Sequence, residues 1–70
     1  MMRGTVKFFD LMRGYGFIKT DGGDDVFVHR SDLQPSCRVG GELMLAPDQR
    51  VSFEVVEAAR GPRATTVAPA

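Results

Sequence analysis

The chain has 70 residues, 43% apolar and 26% charged, an ordinary globular mixture that fits one domain rather than a disordered chain, with only the closing APA read as a loose tail. Nine basic residues balance nine acidic ones, so net charge gives no pointer to a polyanionic partner. One cysteine excludes an internal disulfide, and with one histidine it excludes a zinc site, so no metal and no cofactor is expected.

Gly14, Gly16, Gly22-Gly23, Pro35, Gly40-Gly41, Pro47 and Gly61-Pro62 cut the chain into segments of about 5–9 residues, which suits strands and is too short for ordinary helices. The first predicted strand, roughly 4–10, contains Lys7-Phe8-Phe9. Strict alternation cannot put both rings on one face, so one tucks inward or the strand carries a bulge, with Phe8 expected at the surface. The second strand, roughly 15–20, places Tyr15, Phe17 and Lys19 on one face and Gly16, Ile18 and Thr20 on the other. Asp21-Gly22-Gly23-Asp24 has the composition of a hairpin turn with positive-φ positions.

The third strand, roughly 25–29, alternates Phe27 and His29 with Val26 and Val28. Residues 30–48 form one long irregular connection with a short helical turn at 31–33. In the fourth strand, roughly 49–57, Val51, Phe53 and Val55 alternate with Ser52 and Glu54, the pattern of a half-buried strand. The fifth runs over roughly 63–67. Five short strands joined by Gly/Pro turns predict an all-β fold, and a small closed barrel is the arrangement that removes exposed strand edges. Val6, Ile18, Val26, Val28, Val51, Phe53, Val55 and Val67 are its expected core.

The opposite face then gathers Tyr15, Phe17, Phe27 and His29 beside Lys19. Turning this face inward instead would bury a histidine and a lysine and expose an all-aliphatic set, which is the poorer arrangement. Outward rings form a stacking platform for unpaired bases, sequence-tolerant because every base has a π-face. Lys7, Arg13, Arg30 and Arg60 surround it as candidate phosphate contacts. Gly14 and Gly16, on either side of Tyr15, allow a bend or a close strand crossing.

These residues carry a family resemblance. Arg13-Gly14-Tyr15-Gly16-Phe17-Ile18 resembles the first ribonucleoprotein motif of the cold-shock domain, K-G-F-G-F-I, and Val26-Phe27-Val28-His29-Arg30-Ser31 the second, V-F-V-H-x-S. Gly4-Thr5-Val6-Lys7-Phe8-Phe9-Asp10 is similar to the family's opening G-T-V-K-W-F-N. Val51-Ser52-Phe53 and Arg60-Gly61-Pro62-Arg63-Ala64 follow its V-x-F and R-G-P-x-A. The resemblance spans residues 3–34 and 49–67 of one domain covering 1–70.

It implies a five-stranded antiparallel OB-fold barrel that binds single-stranded RNA and DNA as an RNA chaperone, with effects on transcription and translation. It further implies base stacking by Phe8, Phe9, Tyr15, Phe17, Phe27 and His29, phosphate or base-edge contacts from Lys7, Arg13 and Arg60, and a base acceptor at Asp25, which could equally close the hairpin. Three departures stand out: Phe8 replaces the family's tryptophan, and Arg30 stands where many bacterial members carry a ring. The third is the stretch Pro35 to Asp48, which has no aromatic and about four residues more than is usual for this loop. Its Leu43, Met44 and Leu45 are expected to cover a barrel end or to form a partner contact, covering being favoured.

No triad, carboxylate pair or metal cluster is visible, so no enzyme and no small-molecule substrate is expected. The alternative class is a protein-interaction barrel docking its rings on a ribosomal or transcription component; interleaved cations favour nucleic acid over it. No apolar run approaches the ~20 residues of a membrane span. The opening MMRGTVKFFD lacks the apolar core of a secretory signal. With a free thiol, at Cys37, this predicts a cytoplasmic monomer without a membrane partner, the thiol resting in a loop or linking two chains in vitro. Charge is also unevenly spread: residues 1–19 are net +3, 20–57 net −5 and 58–70 net +2.

Overall fold

The computed structural model describes residues 1–70 as seven strands. They are β1 (Met2–Asp10), β2 (Tyr15–Thr20), β3 (Asp25–His29), β4 (Arg38–Val39), β5 (Glu42–Leu43), β6 (Arg50–Ala58) and β7 (Gly61–Pro69). Five close into a barrel in the order β1-β2-β3-β7-β6, as expected of an OB-fold. The pairings are antiparallel except for closure of β3 against β7, a parallel contact centred on Phe27 and Arg63. No helix is long and apolar enough to cross a membrane.

Alternation explains the interior. Val6, Ile18, Val26, Val28, Val51, Phe53 and Val67 are all buried, and Val55 packs against them half-buried. In β1 the register slips between Val6 and Phe8, leaving Lys7 as the extra residue of a bulge. That slip turns Phe8 outward, opposite Phe17, and Phe9 inward, opposite Gly16. A Cβ on Gly16 would strike the Phe8 carbonyl oxygen and come within 2.8 Å of Phe9 Cα, so this position accepts only glycine. Both outcomes foreseen for Phe8-Phe9 occur together, because the bulge is what makes the second ring tuck.

The connection from 30 to 48 is more ordered than its composition suggests. It holds 3₁₀ turns at Arg30–Asp32 and Pro35–Cys37, then the β4-β5 hairpin. Leu33, Cys37 and Leu45 enter the core and Leu43 packs on it, so the segment closes the barrel.

Cys37 is only 2% exposed, and its Sγ–H donates to Val67 O at 3.3 Å. The thiol rests within the connection, as the favoured expectation had it, and its burial corrects the alternative of a thiol able to link two chains: the inner side of the Pro35–Cys37 turn draws it under the barrel. Burial also pushes the thiol pKa up. Native protein should therefore react with a maleimide about tenfold or more slowly than urea-unfolded protein. Equal rates in the two states would contradict the buried placement.

On the opposite flank Arg50 reaches Asp21 through two hydrogen bonds, of 2.7 and 3.0 Å, and Thr5 Oγ1 at 3.1 Å, tying the β2-β3 turn to β1 and β6. The Arg50 hydrogen bonds hold the Asp21 carboxyl below the usual carboxylate range. A depressed folded-state pKa stabilises the fold above the unfolded value of about 4 and ceases to do so as pH falls through the folded value. Asp21→Asn should accordingly lower the melting temperature at pH 7 and converge with the parent in acid. The pair is exposed, so the difference should also shrink with salt.

Candidate functional site

β2 and β3 present their outward rings on one sheet face, and the β1 bulge adds Phe8 to it. Tyr15 pairs with His29 and Phe17 with Phe27 across the ladder, which brings the side chains of each pair onto the same side. Four rings form a continuous patch. Phe17 meets Phe8 and Phe27 with centroids at 5.8 Å in each case. Tyr15 stacks on Phe27 at 5.9 Å and meets Phe8 edge-on at 6.2 Å. Phe8 is 42% exposed, while Tyr15, Phe17 and Phe27 are half-buried by one another. Such rings are oriented in advance and keep an accessible surface.

His29 stands exposed at one end of this patch. Ser31 N–H donates to its Nδ1 at 3.1 Å, and its own N–H donates to Asp32 Oδ2 at 3.0 Å. With Nδ1 accepting, the neutral ring carries its proton on Nε2. Asp32 is 8% exposed in its side chain and accepts from Arg63 at 2.9 and 3.1 Å. The carboxylate raises the Arg63 pKa above the ordinary arginine range. Arg63 thus braces the turn that orients His29, a role invisible in the sequence because its partner lies 31 residues away.

A groove of about 670 Å³ runs beside the rings, lined by Phe17, Asp25, Phe27, Arg60, Pro62 and Arg63 among others. Arg60 lies exposed in the β6-β7 turn and lines this groove. Other candidates arrive in a different state. Lys7, pushed out by the bulge, donates to Asp25 Oδ2 at 3.0 Å, so two expected contacts occupy each other. Asp25 stands opposite Lys19 at the start of β3, in the last ladder pair before the β2-β3 turn. Arg13 lies 3.9 Å from Asp10 across the β1-β2 turn. Arg30 donates to Leu11 O at 3.0 Å, with its guanidinium against Gly14. Phe9 packs half-buried against the core and stands apart from the four-ring patch.

The uneven charge has a spatial counterpart. The basic first strand lies next to the rings through β2, and Arg60 edges them from the β6-β7 turn. The ion pairs of Lys7 and Arg13 temper that field. The face is thus dominated by its rings, with two of the neighbouring cations already paired to carboxylates.

Comparison with known proteins accords with this geometry. A family model described as the 'Cold-shock' DNA-binding domain matches residues 2–70. Cold shock protein CspB of Bacillus caldolyticus is 48% identical over 67 residues, 96% of each chain. Cold shock-like protein CspLB of Listeria monocytogenes is 48% identical and cold shock protein CspD of Bacillus subtilis 46%, each over 67 residues and 96% of both chains.

Proposed function

The chain belongs to the cold-shock domain family, whose members bind nucleic acid, and from this premise we propose that it binds single-stranded RNA and DNA by stacking bases on Phe8, Tyr15, Phe17 and Phe27. The observation that carries the proposal is the continuous four-ring patch edged by Arg60. Each base stacked on an aromatic contributes ~1–3 kcal/mol, so a few stacked bases reach micromolar affinity after the cost of ordering the strand. A duplex hides its base faces and offers this platform only its backbone.

The protein acts as a passive RNA chaperone in this proposal. It captures transiently open strands and shifts the pairing equilibrium, with no energy source and no bond made or broken. The only imidazole caps a turn and the only thiol is buried, an arrangement suited to binding without catalysis. A cytoplasmic monomer is the form in which we expect it to work, and effects on transcription and translation follow from melting structure in transcripts.

Anisotropy titration with a labelled pyrimidine-rich strand and with the same strand in duplex tests the proposal. The single strand should bind at least about tenfold more tightly, a difference of about 1.4 kcal/mol that one lost stacking contact can supply. Preference for the duplex, or no binding to either, would favour a face that docks on a protein instead. In the same buffer, without nucleotide triphosphate, stoichiometric protein should lower the melting temperature of an RNA hairpin.

A further inference from the structure

A second, smaller groove of about 230 Å³ lies beyond the rings, lined by Leu11, Arg30, Arg38, Gly41, Glu42 and Leu43. It adjoins the end of the platform where Tyr15 pairs with His29, because Arg30 follows His29 directly and its N–H donates to Gly14 O at 2.7 Å. Its lining includes the Arg30 guanidinium, whose Nη2 donates to Leu11 O at 3.0 Å. It also includes Arg38, whose Nη1 donates to Gly41 O at 2.7 Å. Each guanidinium is oriented by one backbone carbonyl, and its remaining N–H groups stay available.

The ion pairs of the molecule engage Lys7, Arg13, Arg50 and Arg63, so neither groove arginine is neutralised by a carboxylate. Glu42 is the only acidic side chain on the lining, which leaves the groove with one net positive charge. Two forked donors with free N–H groups match the oxygens of a phosphate diester. A strand stacked on Phe17, Phe27 and Tyr15 carries such a group past each ring.

We propose that Arg30 and Arg38 form a phosphate-binding subsite that takes the backbone of the strand as it leaves the Tyr15–His29 end of the platform. The subsite rests on the stacking function proposed above and extends its footprint over the β4-β5 hairpin.

The test compares thymidine oligomers of about four and about eight nucleotides, within the site sizes usual for such barrels. Each is titrated by anisotropy into the parent and into the double variant Arg30→Gln/Arg38→Gln at several salt concentrations. The loss of affinity should be about fivefold or more greater for the longer oligomer. Its log K against log salt should become shallower by about 0.7 for each phosphate contact removed. Glu42→Gln should tighten the longer strand at low salt, a gain that misfolding cannot imitate. Equal losses at both lengths, an unchanged salt slope, or no gain from Glu42→Gln would overturn the subsite. If Phe17→Ala binds both oligomers as the parent does, the platform itself fails and the subsite with it; intact platform dependence with an unchanged slope overturns the subsite alone.

Discussion

Phe17→Ala should weaken binding of a short pyrimidine-rich strand by about 5- to 150-fold, the equivalent of ~1–3 kcal/mol for one stacked base. The upper part of that range is expected because Phe17 holds two other rings in place. It lies at 5.8 Å from both Phe8 and Phe27, so its loss removes one stacking surface and leaves two neighbours free to change rotamer. Phe27→Ala should act similarly, since Phe27 touches Tyr15 as well as Phe17. Arg60→Ala should cost less and act mainly on the salt dependence, as a solvated contact at the edge of the groove. Because Phe17 sits on the outer face of β2, the variant should remain folded, with a circular dichroism spectrum like the parent's. A Phe17→Ala protein that binds with parental affinity would remove the basis of the stacking proposal.

Much of this site was legible because a strand has a strict period. Tyr15, Phe17, Phe27 and His29 fall on one face by count alone, and Ile18, Val26 and Val28 on the other. The features that escaped the period are non-local or break it. The side on which Phe8 and Phe9 lie depends on a bulge at Lys7, and a bulge is set by pairing with β2. That Lys7 meets Asp25, and Arg63 meets Asp32, depends on chain distances of 18 and 31 residues. The parallel closure of β3 on β7 likewise has no local signal.

The connection from 30 to 48 shows the same limit from the opposite side. Its Gly and Pro residues speak only for irregularity, and nothing periodic marks Leu33, Cys37 and Leu45 as core residues. They become so because the connection must cross the barrel end to reach β6. Of its Leu43-Met44-Leu45 run, Leu45 enters the core and Leu43 packs on it, which is the favoured expectation of a covered barrel end.

Phe53→Ala should be the most damaging single truncation in the protein. Phe53 is fully buried, the largest side chain in a core of 11 residues, where β6 pairs through Phe53 with Met2 of β1 and its register against β7 shifts. Removing a buried phenylalanine ring costs ~3–5 kcal/mol, from lost transfer energy and from the cavity left behind. A domain of this size has a total stability of about 3.5–10 kcal/mol, at ~0.05–0.15 kcal/mol per residue. The loss is therefore comparable with the whole stability. Collapse around the cavity is hindered because both neighbouring strands are held by the closed barrel. Urea denaturation followed by far-ultraviolet circular dichroism should show the variant largely unfolded at 25 °C, or with a midpoint near zero denaturant. Phe53→Leu, which keeps most of the volume, should recover part of the loss. A Phe53→Ala unfolding free energy within about 1 kcal/mol of the parent's would mean that the ring is not the centre of this core.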